Sequence, residues 1–265
     1  MSGPLRDKQV EKGSMDENIR STASGGHDRN SRFMLVVESD ANNLFYTSML
    51  LQRFDFHISM AATAEEALAM MPVAVPSLVI TALDLKGMSG LELMQKLAQN
   101  PATAAVPVIV LIREGDLVGD KRCREAGATD CLDKPVLAEQ MFRAVEAVVE
   151  TTPRSSIRIR TRLPVTVNNM PLVDAEDTCV SVLSEHGMFL RTLRPAPLET
   201  RLSIQIGLND RIIAIEAVVR SSYRIGEGPY NEPGMGLQFV RTSPQDQELI
   251  RQFIRNEVTR GITPM

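Results

Sequence analysis

Two arginines four positions apart, Arg154 and Arg158, stand out among the residues whose type and spacing suit chemistry. A guanidinium presents a rigid fork of donors that matches a phosphate edge through paired, charge-assisted hydrogen bonds, and its flat face stacks on rings. Upstream, Glu38 follows the apolar run FMLVV, and Lys134 follows ATDCLD just before Pro135. An acid and an ammonium at two strand ends suit a salt bridge with each other. Between them lies LVITALDLKGMSGLEL at 78–93. It combines an apolar run, a loop containing Gly87, Met88 and Gly90, and the start of an amphipathic helix. Asp84 is its one acid before the loop. No His/Cys cluster has metal-ligand spacing, and neither a glycine-rich phosphate loop nor a nucleophile motif is present, so enzymatic chemistry is poorly supported.

Alternating apolar segments supply the elements that must position these groups. Strands are predicted at 33–37, 55–60, 78–83, 107–112 and 129–132, with helices near 42–53, 64–71, 90–98, 120–126 and 138–150. Five such repeats imply a doubly wound, five-stranded parallel sheet, whose ligands bind at the carboxyl ends of its strands. After Thr151, Thr152 and Pro153, strand-like segments follow at 157–167, 178–183, 187–191, 201–208, 212–222 and 235–240. Their alternation and their Gly, Asn, Asp and Pro turns predict a small antiparallel β-barrel, closed by a C-terminal helix over about 245–259.

The 265 residues, 43% hydrophobic and 23% charged, have room for two cores, each of roughly 110 to 120 residues. The expected division is a tail at 1–32, one domain at 33–151 and a second at 152–265. The tail has few large apolar groups and is expected to be disordered. The 33–151 segment holds 9 Lys or Arg against 16 acids, while 152–265 holds 14 Arg, no Lys and 12 acids. An excess of two cations is too small for a sequence-independent nucleic-acid surface. No apolar stretch reaches the roughly 18 residues of a membrane span. No basic-then-hydrophobic leader is visible, so a cytoplasmic location is expected. Cys123, Cys131 and Cys179 are odd in number and far apart, which argues for core thiols over disulfides.

The 33–150 region resembles bacterial response-regulator receiver domains through FMLVVESD, the 78–93 frame and ATDCLDKPV. The resemblance assigns the phosphoacceptor position to Ala82, the paired acids to Glu38 and Ser39, the hydroxyl and aromatic switch positions to Ile112 and Cys131, and the lysine to Lys134. A methyl group can neither attack phosphorus nor bind magnesium, so the resemblance implies a receiver scaffold without its acceptor. Asp84 shares the parity of Ala82, yet it would stand about 6 to 7 Å from the required place.

The 154–257 region resembles the PilZ family, whose members bind cyclic di-GMP. Arg154 to Arg158 match its RxxxR, Ser184 and Gly187 match part of its (D/N)xSxxG, and GMGLQFV before Ser243-Pro244 matches its ending. Val182 replaces the acid or amide expected to pair with a guanine edge. The resemblance thus implies cyclic di-GMP as candidate ligand, through Arg154, Arg158, Ser184 and Gly187, with no required cofactor. Receiver-PilZ fusion implies a regulator acting on signalling or motility proteins, without nucleic acid or membrane insertion. Homodimerisation is left open.

Overall fold

A computed structural model of the chain describes residues 33–168, 178–228 and 230–263. The expected tail at 1–32 lies outside the described residues. The first domain alternates β1 (Phe33–Val37), α1 (Ala41–Arg53), β2 (His57–Ala61), α2 (Ala64–Met70), β3 (Leu78–Ala82), α3 (Gly90–Gln99), β4 (Val108–Arg113), α4 (Leu117–Glu125), β5 (Asp130–Lys134) and α5 (Ala138–Val149). All its strand pairs are parallel, in the order β2-β1-β3-β4-β5. Leu50, Leu51, Phe142 and Val145 pack on one face of the sheet, and Ala64, Leu93, Leu97 and Cys123 on the other. β3 lies at the sheet's centre and is buried along its length. That burial explains why it reads as a continuous apolar run.

Caps fix the helix starts. Ser89 and Glu92 form a reciprocal capping box on α3. α4 begins at Leu117, three residues before the expected start, because the Asp116 carboxylate accepts from Gly119 N at 2.8 Å and opens the helix there.

The second domain contains β6 (Arg158–Leu163), β7 (Val165–Val167), β8 (Cys179–Ser184), β9 (Gly187–Arg191), β10 (Arg201–Leu208), β11 (Arg211–Tyr223), β12 (Gly234–Arg241) and α6 (Pro244–Thr259). They form a seven-stranded antiparallel sheet in the order β6-β8-β9-β12-β11-β10-β7. The single strand expected at 157–167 is two, broken at Pro164, which has no N–H to continue a ladder. That break puts consecutive strands on opposite edges, so the sheet curls into a half-barrel covered by α6.

α6 joins the domains. Ile250, Phe253, Ile254 and Val258 are buried in an apolar core that runs on to Phe54, Phe142 and Val145 of the first domain. Arg53, at the end of α1, donates through Nη1 to Val258 O and through Nη2 to Arg260 O at 2.7 Å. It thereby satisfies last-turn carbonyls that an isolated helix leaves unpaired. Arg255 Nε donates to Glu139 Oε1 of α5 at 2.8 Å. Arg53→Ala is expected to lower stability by about 1–2 kcal/mol. Urea unfolding followed by far-UV circular dichroism checks this, and an unchanged midpoint would remove the cap from the account.

Candidate functional site

Two places gather the residues singled out in the sequence. The first is the carboxyl end of the parallel sheet, where the chain leaves the paired strands β1 and β3 for helices on opposite faces. Glu38 is 2% exposed. Its Oε2 accepts from Lys134 Nζ, and its Oε1 accepts from Asp40 N at 3.1 Å. Ser39 Oγ donates to Ala62 O at 3.1 Å and accepts from Lys86 N at 2.8 Å, tying the loops after β2 and β3 together. Glu65 Oε1 accepts from Met88 N at 3.3 Å, and Glu66 Oε2 from Ala62 N at 2.8 Å.

Ala82 closes β3 and is fully buried. A Cβ on Gly90 would stand 2.2 Å from Ala82 O, so only glycine permits the following helix to approach this strand end. Asp84 is exposed and pairs with Arg113 at 2.9 Å rather than with Lys134. Ile112 is buried. Cys131 is only half-buried, a correction to its expected core placement. Burial, followed by the nearby Cys123, pushes its thiol up to about 12. The arrangement is a shielded ion pair in a laced cleft. Among the described residues, no group of three His, Cys, Asp or Glu is arranged to hold a metal ion.

The second place is one end of the half-barrel. Arg158 opens β6 directly opposite Ser184 of β8, with Ile159 opposite Leu183 and Arg160 opposite Val182. Ser184 in turn lies opposite Gly187, and its Oγ donates to Gly187 O at 2.9 Å. A Cβ on Gly187 would come within 2.5 Å of Leu237 O, which explains glycine at this turn. The register therefore brings Arg158, Ser184 and Gly187 together. Arg158 is exposed and Val182 buried, with no polar group at the latter position. Arg154 precedes the strand, half-buried, and its backbone N donates to Glu146 Oε2 at 2.8 Å. His186 is exposed at the turn.

Three side chains that position these places escaped the sequence reading. Glu146, 1% exposed on α5, anchors the segment that carries Arg154. It falls on the same helical stripe as Phe142, Val145 and Val149, and an acid on an apolar stripe was the available signal. Arg251 of α6 holds Glu185 in the Ser184–Gly187 turn, and its hydrogen bond draws that carboxyl below the usual range. Arg53, described above, gave no local signal, because its partners lie about 200 residues away and are backbone carbonyls.

The fold and sites define a two-domain class: a parallel α/β domain with its cleft at the carboxyl ends of β1 and β3, followed by a half-barrel with arginine at one end. Residues 34–146 match the family model of the response regulator receiver domain, and residues 152–256 match that of the PilZ domain. The chain therefore carries a receiver domain followed by a PilZ domain, and the fold expected from sequence is the fold present. A chemotaxis protein CheY of Rhizobium etli is 29% identical over 116 residues, covering 43% of this chain and 90% of that protein. Protein PilH of Pseudomonas aeruginosa is 25% identical over 119 residues, covering 44% and 96%. Among solved structures, the chemotaxis response regulator CheY4 of Vibrio cholerae has 23% identity and a TM-score of 0.42, covering 44% of this chain and 98% of that one. No helix among the described residues is long and apolar enough to cross a membrane.

Below its raised pKa the Cys131 thiol stays protonated, and the thiolate is the reactive form. Iodoacetamide at pH 8 is expected to leave Cys131 unmodified in the folded protein, with labelling rising only as pH approaches about 12. Peptide mass spectrometry reads this, and rapid labelling at pH 8 would contradict the assigned environment.

Proposed function

We propose that this protein is a non-enzymatic bacterial signalling regulator that acts in the cytoplasm through contacts with other proteins, its receiver domain serving as a scaffold rather than a phosphoryl acceptor. Ala82 carries this reading. It occupies the strand end where the resemblance requires a carboxylate, and a methyl group supplies neither a nucleophile nor a hard ligand for magnesium. Glu38 is already engaged by Lys134, Ser39 is spent bridging two loops, and Asp84 faces Arg113. The likeness to a protein named for chemotaxis supports control of motility, pili or surface behaviour. Incubation with acetyl phosphate and magnesium is expected to leave no hydroxylamine-labile phosphate on the chain. Labelling that disappears in Asp84→Ala would overturn this.

A second reading has a specific observation in its favour: Arg158 and Ser184 are cross-strand neighbours. A PilZ domain so arranged is suited to cyclic di-GMP, with Arg154 and Arg158 clasping phosphate, and Ser184 and Gly187 lining the base pocket. Val182 leaves a guanine edge without its partner, a loss of about 1–3 kcal/mol, or roughly one to two decades in affinity. Calorimetric titration is expected to show weak binding by the natural chain, tighter binding by Val182→Asp and none by Arg158→Ala. Equal affinities in all three would remove the nucleotide from the account.

A further inference from the structure

We propose that the cleft between β6 and α6 is a separate site for a phosphorylated small molecule of mononucleotide size. The cavity holds about 370 Å³, within the range of roughly 300–1,000 Å³ typical of small-ligand sites. None of Arg154, Arg158, Ser184 and Gly187 lines it. Its lining includes Arg160, Arg162 and Arg260, with Glu257 as the one acid among them, so its charge favours an anion. Arg160 and Arg162 are both exposed on β6, either side of Thr161, where the ladder to β8 is irregular. Phe253, Leu163 and Pro164 give the cavity an apolar wall on which a flat base can lie. Asn209 adds an acceptor for the N–H edge of that base.

The fold supplies this opening. β6 is an edge strand, and the break at Pro164 carries the chain to the opposite edge, leaving a gap that α6 covers only in part. Two of the guanidiniums are held by exchangeable partners. Arg160 lies 3.6 Å from Asp55, with both side chains substantially exposed, and Arg260 pairs with Glu257. Exposed ion pairs contribute little, whereas a phosphate accepts from two guanidiniums at once. Asp55 belongs to the first domain, and Arg53 of that domain grips the end of α6. A phosphate that draws Arg160 from Asp55 therefore acts directly on the domain junction.

The test is titration of the full chain with GMP, AMP and inorganic phosphate, followed by calorimetry and by amide NMR shifts. Saturable millimolar or tighter binding of a mononucleotide is expected, with weaker binding of phosphate alone. Arg162→Ala should weaken it about tenfold or more, Glu257→Gln should tighten it, and Arg224→Ala, remote from the cleft, should leave it unchanged. Thermal melts confirm that each variant is folded. The assignment fails if neither nucleotide saturates, or if inorganic phosphate binds as tightly as either. It also fails if Arg158→Ala abolishes binding while Arg162→Ala does not, because that result moves the ligand to the Ser184 end.

Discussion

The burial of α6 against both domains is the constraint on which the rest of this structure depends. The helix closes the half-barrel with Ile250, Phe253, Ile254 and Val258, and the same apolar core continues between α1 and α5. Its start is set by Ser243, whose Oγ accepts from Asp246 N at 3.0 Å, with Pro244 in the first turn. Its end is closed by Arg53, a residue of the other domain. Relative motion is the default for linked domains with small polar interfaces, but a shared apolar core opposes it. Separation would expose Phe54, Phe142 and Phe253 together, and aromatic burial dominates such interfaces. The two domains are therefore arranged to respond as a unit.

That arrangement bears on how a ligand at the arginine segment would be felt. Only eight residues separate the end of α5 at Val149 from the start of β6 at Arg158, and Glu146 fixes the middle of that connection through Arg154 N. Glu146 is deeply buried, and a hydrogen bond to a carboxylate shielded from water is stronger than the same bond at the surface. A ligand that grips Arg154 therefore acts on a segment tied directly to α5.

Periodicity was enough to read the fold, because the three inner parallel strands β1, β3 and β4 are buried as runs and helices such as α3 and α5 carry apolar stripes. β1 and β9, for example, have the boundaries read from sequence. The misreadings have local causes: Pro164 split a strand whose alternation continues on both sides, and Asp116 capped a helix ahead of Gly119. At the sites, the motifs gave Arg158, Ser184 and Gly187, whose proximity needed only one antiparallel register. Arg53, Glu146 and Arg251 were less accessible. Each acts on a partner distant in sequence or on a backbone atom, and residue type alone does not encode such contacts.

The cleft of the first domain gains its shape from the same kind of substitution. In a phosphorylatable site, charge at the strand ends must remain available for metal and phosphoryl oxygen, and the surrounding loops must be free to follow the added group. Here Lys134 engages Glu38, while Ser39, Glu65 and Glu66 each accept a backbone N–H from the loops that border the cleft. Carboxylates that would repel one another without a cation are instead distributed as loop clasps, each satisfied locally. These bonds tie the loops that border the cleft to their neighbours. Leu117 and Val118, at the start of α4, are exposed at 81% and 70%. Exposed aliphatic side chains favour recognition by shape, which is what the proposed role in protein contact requires.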